Sequence, residues 1–245
     1  MAPEMADETI QKSYVSQNNK VRLAVYDFDG TCITGNSPVM LVGHLLRDGL
    51  LSLKQGIDIG LWAFRYKFRL PQNESSVRKK VFRPFEGKPK AEVDEYLQLF
   101  YDEVVAQRWR PTADESMRER SAEGCVVMVV YATWQAIAER AAQSHHFDYA
   151  LATNMKVDEQ GNYLCEVDGL PVEGKEKLRV VERFANEHFG EGAWELTYAY
   201  GDHHSDKPLL EAAKNPFAVT PDKPLARADR SRNWPILDWE AKSRS

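Results

Sequence analysis

The sequence predicts an α/β protein, a doubly wound parallel sheet into which an all-helical segment is inserted. Three observations carry that reading. Short apolar, β-branched runs alternate with helical patterns downstream of Arg110, as repeated strand and helix units do. Two runs stop abruptly at acidic residues beside glycine, Tyr26-Asp27-Phe28-Asp29-Gly30 and Tyr200-Gly201-Asp202, the composition expected where a parallel sheet delivers side chains at its carboxyl edge. Between Ser37 and Arg110 strand signals give way to apolar residues spaced three and four apart.

Residues 1–20 are polar and aperiodic and are expected to be flexible. A buried strand follows, with Leu23 and Val25 in it, and ends at Asp27. Val39, Leu41, Val42, Leu45 and Leu46 then share one helical face. Ile57, Leu61, Phe64 and Phe68 share another within 50–70, which Pro71 closes. Val93, Tyr96, Leu97, Phe100, Tyr101, Val104 and Val105 mark a further helix between Pro89 and Pro111. The expected organisation is therefore a core of 21–36 and 111–245 with a helical unit, 37–110, inserted into it. In the core the pattern predicts a helix over 112–123 ended by Gly124, and a strand over 125–131 buried on both faces. A helix over 132–143, a strand over 149–153 and a hairpin joining 155–157 to 163–165 come next. The series closes with a helix over 176–188, a strand over 196–200, a helix over 207–214 and a strand over 217–220. From Pro221 a tail is expected, docked through Trp234, Leu237 and Trp239.

Of 245 residues, 43% are hydrophobic and 28% charged, which fits a globular chain able to bury a large interior. A net charge of −5 gives no general polyanion-binding surface, so no nucleic-acid partner is expected. Cys32, Cys125 and Cys165 are odd in number, far apart and outside metal-ligand spacing; neither a disulfide nor a zinc site follows, and a reducing compartment does. With no leader pattern and no apolar run of spanning length, a cytoplasmic location is expected. The aromatic and basic interleave from Trp62 to Arg69 reads as packed core with solvated Arg and Lys ends. An interfacial helix on anionic lipid and a groove for a single strand are the other readings, and any membrane contact would run through this helical unit. Nothing in the sequence speaks to oligomeric state.

Asp27 and Asp29 stand two apart on an extended backbone, so their side chains leave on one face, and Gly30 permits the turn that follows. Two like charges that close require a cation or a shared proton. The pair suits a carboxylate nucleophile and metal ligand, Asp27, beside a general acid/base, Asp29, the chemistry of an aspartyl-phosphate intermediate. A surface turn or a calcium loop is the competing reading, but Phe28, Cys32 and Ile33 are apolar where a calcium loop needs oxygen ligands. Asp202 follows another strand and can close a magnesium site with the Asp27 carboxylate and the Asp29 carbonyl oxygen. Asp206 is either part of that site or a helix cap. His203 and His204 invite a zinc or acid/base role, but adjacent residues face different ways and hard carboxylates lie nearby, so they are read as loop residues lining the entrance. Lys177 opens a helix on its inward face and can meet a phosphate oxygen and Asp27; Lys175 is the alternative.

These segments, in this order, resemble the haloacid dehalogenase (HAD) superfamily over nearly the whole of 21–239, with Asp27-Phe28-Asp29-Gly30-Thr31 as the first motif. The likeness is greatest to its subfamily IB, the phosphoserine phosphatase-like hydrolases, whose C1 helical cap the insert resembles. The resemblance implies a HAD-like Rossmannoid core and a Mg2+-dependent phosphatase acting on a small phosphomonoester. It implies Asp27 as nucleophile, Asp29 as acid/base, Gly30, Thr133 and Lys177 at the phosphate, and Asp27, Asp29, Asp202 and Asp206 at the metal. Two positions depart from the family pattern. Tyr131 stands where a Ser or Thr ends the second-motif strand, which leaves Thr133 as the nearest hydroxyl, and Asn36 stands where phosphoserine phosphatases carry an acid. The alternatives are a phosphotransferase to an alcohol acceptor and a catalytically weak phosphate-ligand binder, the latter because of Tyr131.

Overall fold

The computed structural model describes residues 20–54, 56, 57, 59 and 81–240. Six strands, β1 (Val21–Asp27), β2 (Cys125–Trp134), β3 (Tyr149–Thr153), β6 (Trp194–Gly201), β7 (Asn215–Val219) and β8 (Ile236–Leu237), form one sheet in the order β3-β2-β1-β6-β7-β8. Every pairing in it is parallel. The short strands β4 (Met155–Val157) and β5 (Tyr163–Val167) make a separate antiparallel hairpin.

Alternation along the strands decides the two faces. Val21, Leu23 and Val25 of β1 pack with Val126, Met128 and Val130 of β2 against Val181 and Ala185 of α5 (Lys175–Phe189), Leu209 and Leu210 of α6 (Lys207–Ala212), and Leu225 of α7 (Lys223–Arg232). Ala24 and Tyr26 face the other way, with Val127 and Val129, onto Ala113 and Met117 of α3 (Pro111–Ala122) and Ile137 of α4 (Gln135–Ala142). Leu23 and Val25 are fully buried, and each such side chain contributes roughly 1.5–3 kcal/mol. The central strand is thus fixed by packing from both sides, which holds its carboxyl end still.

Between β1 and α3 the described regular elements are helical: α1 (Ser37–Arg47), a 3-10 turn Arg83–Phe85, α2 (Lys90–Phe100), a π-helical turn Tyr101–Val105 and a 3-10 turn Ala106–Arg108. The segment leaves and rejoins the core side by side. Thr34 N–H donates to Arg108 O at 2.8 Å, Ile33 bridges Trp109, and Arg110 N–H donates to Cys32 O at 2.9 Å. The hairpin is hydrogen-bonded to it: Gly87 N–H to Tyr163 O (2.8 Å), Tyr163 N–H to Lys88 O (2.9 Å) and Lys90 N–H to Gly161 O (2.9 Å). The interleave from Trp62 to Arg69 and the polar residues 1–19 lie outside the described residues. Among the described residues no helix is long and apolar enough to cross a membrane. Among the described residues no disulfide joins Cys32, Cys125 or Cys165.

Two segments differ from the sequence expectation. β2 continues through Trp134, so the helix expected over 132–143 starts at Gln135. Local helical pattern yields here to long-range contacts, since Thr153 Oγ1 donates to Ala132 O at 2.9 Å and Trp134 packs edge-on against Phe82 and Phe85. The expected tail contains α7, capped by Asp222, whose Oδ1 accepts from Leu225 N–H at 2.7 Å, and then β8 on the sheet edge. Trp239 docks as expected, 6.0 Å from the Tyr200 ring.

Candidate active site

β1 ends at Asp27 and its neighbour β6 at Gly201, so the acidic residues after both meet at one edge of the sheet. Gly30 turns the chain at φ 77, a left-handed conformation costly for other residues, and a side-chain carbon there would lie 2.0 Å from Asp202 Oδ2. At Gly201 an added carbon would lie 2.7 Å from Asp206 Cβ. Both glycines are therefore spacers that let carboxylates approach backbone.

Lys177 enters from the first turn of α5 and is buried, whereas Lys175 is exposed. Its Nζ donates to Asp27 Oδ1 and to Asp206 Oδ1, both at 2.5 Å. The fully buried Asp206 accepts at Oδ2 from His203 N–H at 3.0 Å, so both of its oxygens are engaged. Ligand atoms of Asp27, Asp202 and Asp206 all lie within 4.8 Å of one another. Burial, then the Asp206 charge, holds the Asp27 carboxyl above the ordinary range despite Lys177. Burial, then Asp27 and Asp206, raises Asp202 as well. For Lys177 burial opposes the charge, but Asp206 and Asp27 outweigh it and raise the ammonium pKa.

One lysine faces three carboxylates, and Asp202 Oδ1 is buried with no hydrogen-bond partner. A hard divalent cation fits that donor set, all oxygen and in excess negative charge.

Asp29 is held separately. Its Oδ1 accepts from Ser37 N–H, at the amino end of α1, at 2.7 Å, an arrangement that the unpaired amides and dipole of a helix start favour. Burial nevertheless pushes the Asp29 carboxyl up to about 6. Tyr131, fully buried at the second-motif position, shares a hydrogen bond with Ser37 Oγ and lies against Phe28 at 4.3 Å. Its hydroxyl is thus directed into the support of Asp29. Thr133 is buried nearby and its side chain hydrogen-bonds Tyr131. Asn36 caps α1, its Oδ1 accepting from Val39 N–H at 3.2 Å.

Two residues escaped the sequence reading. Ser37 was legible in principle, since Asn36-Ser37-Pro38 is a helix start just after the first motif. Arg110 was not. Its buried guanidinium donates to Gly30 O at 3.1 Å and reaches Thr220 Oγ1 and Glu240 Oε1 at 3.5 Å, tying the first-motif turn to the far end of the chain. His203 and His204 were expected to diverge, but their ring centroids are 4.0 Å apart.

A parallel α/β sheet with an acidic, lysine-bridged centre at its carboxyl edge has its candidate active site where folds of this class bind ligands. A model of the haloacid dehalogenase-like hydrolase family matches residues 24–211, so the chain belongs to that family. Over 225 residues it is 23% identical to a histidinol-phosphatase of Neisseria meningitidis, covering 89% of this chain and 99% of that one. A crystal structure of a protein of unknown function from Bordetella pertussis superposes with a TM-score of 0.79 at 22% identity, over 90% of this chain and 99% of the other. A substrate-bound phosphoserine phosphatase shares the fold at a TM-score of 0.60 and 17% identity, over 91% and 96%.

Proposed function

We propose that the protein is a Mg2+-dependent phosphomonoesterase acting through an aspartyl-phosphate on Asp27. The observation that carries this is the Lys177 bridge between Asp27 Oδ1 and Asp206 Oδ1, beside the partnerless Oδ1 of Asp202. An Asp27 oxygen attacks phosphorus and the ester oxygen departs with the proton that Asp29 gives it. Asp29 then takes a proton from water, whose oxygen displaces Asp27 and releases inorganic phosphate. A carboxyl held near 6 and gripped by Ser37 N–H is suited to exchange protons in both steps. Lys177 offsets charge on the transferred group, and Asp206 and the His203 amide keep it in position. Asp27, Asp202 and the Asp29 carbonyl would hold the metal, with Asp206 in the same acidic group; bound Mg2+ supplies charge neutralisation at the phosphoryl oxygens. Gly30 and Thr133 border the phosphate.

The insert 37–110 acts as a cap that excludes water and selects the substrate. Asn36 is neutral and engaged in capping α1, which disfavours phosphoserine. The similarity to a histidinol-phosphatase supports another small phosphorylated metabolite.

Phosphate release from a panel of phosphomonoesters, histidinol phosphate and phosphoserine among them, tests this with Mg2+ and with EDTA. Release is expected only with metal, and Asp27→Asn should lower it at least about a thousandfold while remaining folded. Turnover retained by Asp27→Asn would refute the nucleophile assignment.

A further inference from the structure

We propose that His203, His204 and Asp222 form a second metal site, for a transition-metal ion of the zinc type, separate from the acidic centre. The three residues come from two loops, one after β6 and one before α7, and their ligand atoms lie within 4.8 Å of one another. Asp222 Oδ2 stands 3.6 Å from His203 Nε2 and 3.2 Å from His204 Nδ1. A tetrahedral ion with bonds of about 2.0–2.2 Å has ligand-to-ligand edges of roughly 3.3–3.6 Å, close to both separations.

The groups behind these atoms point the same way. His203 Nδ1 accepts from Ser205 N–H at 3.4 Å and lies 2.9 Å from Ser205 Oγ, which fixes the ring with Nε2 turned toward Asp222; a metal ion there takes the place of the Nε2 proton. Asp222 Oδ1 is held by Leu225 N–H at 2.7 Å, which orients Oδ2. His203 is extended, at φ −111 and ψ 151, and His204 opens the 3-10 turn that follows. That change of backbone brings two adjacent imidazoles onto one carboxylate oxygen, where two residues of a strand would diverge. Two imidazoles and a carboxylate suit zinc better than magnesium, and they leave a fourth position open. The site also joins the loops that support the acidic centre, because Asp222 N–H donates to Asp202 O at 2.8 Å. A metal here stiffens the loop that carries Asp202 and Asp206.

The test is titration of the protein with Co2+ and then Zn2+ in excess Mg2+, followed by visible absorption and calorimetry. We expect one Co2+ per chain with the intense visible bands of a low-coordinate imidazole centre, displaced by Zn2+. Loss of an outer partner of a metal ligand already costs 10–100-fold in affinity, so His204→Ala and Asp222→Asn should each weaken binding at least about tenfold. Asp222→Asn keeps the helix cap and His204 is exposed, so both variants should fold. Asp202→Asn should leave this binding unchanged. The proposal is overturned if no bands appear, if His204→Ala and Asp222→Asn bind as tightly as the native chain, or if only Asp202→Asn loses the metal. None of these readouts requires phosphatase activity, so this site and the phosphatase reading stand or fall separately.

Discussion

Tyr131 and Ser37 share a buried hydrogen bond, and the same Ser37 donates its backbone N–H to Asp29 at 2.7 Å. The bulky second-motif residue therefore braces the proposed acid/base. Tyr131→Phe removes only the hydroxyl and leaves Ser37 Oγ short of a partner, at a cost of about 1 kcal/mol. We expect a several-fold lower kcat with KM nearly unchanged, measured as phosphate release. A raised KM at unchanged kcat would mean that the hydroxyl touches substrate. Tyr131→Ser, by contrast, empties a fully buried ring position and should lose about 3–5 kcal/mol of stability, read from urea denaturation.

Asp202→Asn should raise the melting temperature of the metal-free protein and abolish the further rise that Mg2+ gives. Its carboxyl sits above the ordinary range because of burial and then the Asp27 and Asp206 charges. A carboxyl raised on folding binds more protons in the folded chain than in the unfolded one. Its contribution to stability is present below the unfolded pKa and is lost as pH rises through the folded one. At neutral pH the unfolded chain ionises this carboxyl freely while the folded site holds it protonated, so the difference burdens the folded state, and asparagine relieves it. Scanning calorimetry across neutral pH, with and without Mg2+, checks both signs.

Gly30→Ala combines backbone strain at φ 77 with a carbon 2.0 Å from Asp202 Oδ2. Gly124→Ala is the matched control, with φ 81 and no atom within 4 Å of the added carbon. Each should cost about 1–3 kcal/mol through strain. Only Gly30→Ala should also lose phosphate release and Mg2+-dependent stabilisation, because only there must Asp202 move.

His145 lies between Asp114, 3.0 Å from Nδ1, and the Tyr101 hydroxyl, 2.8 Å from Nε2, with its ring stacked on Trp109 at 3.6 Å. Burial lowers its pKa more than Asp114 raises it. The unfolded chain thus takes up a proton near pH 6.5 that the folded chain resists, so this residue's contribution is present above that pH and lost as pH falls. Melting temperature should drop more steeply between pH 7.5 and 5.5 for the native chain than for His145→Gln. Equal slopes would assign the acid sensitivity to other groups.

What the sequence makes legible is what local chemistry dictates. Asp27 and Asp202 declare themselves because an apolar strand has no use for a terminal carboxylate, and Lys177 because it stands on the inward face of its helix. Arg110 is hidden, since its partners Gly30 and Glu240 are distant in the chain and a lone Arg before Pro111 carries no pattern. The extension of β2 to Trp134 is hidden for the same reason: Ala132 to Trp134 fit a helix until Thr153, Phe82 and Phe85 claim them. The α7 start carries a local signal in Asp222-Lys223-Pro224, a capping residue followed by a helix-opening proline, but the polar residues that follow give it no apolar face to read as a helix.

The hairpin belongs to the core by chain order and to the helical unit by its hydrogen bonds. Its tip, Gly161 to Tyr163, is sewn to Gly87, Lys88 and Lys90, while its base is pinned where Asp168 N–H meets Asn154 O at 2.8 Å and Val172 N–H meets Thr153 Oγ1 at 3.0 Å. Just beyond that base, Gly174 opens α5 and Lys177 follows. β4 and β5 therefore span from the turn before Lys177 to the segment 87–90 that opens α2. The backbone that leads to Lys177 is thus a common member of both parts of the chain, hydrogen-bonded to the sheet at Thr153 and to the insert at 87–90.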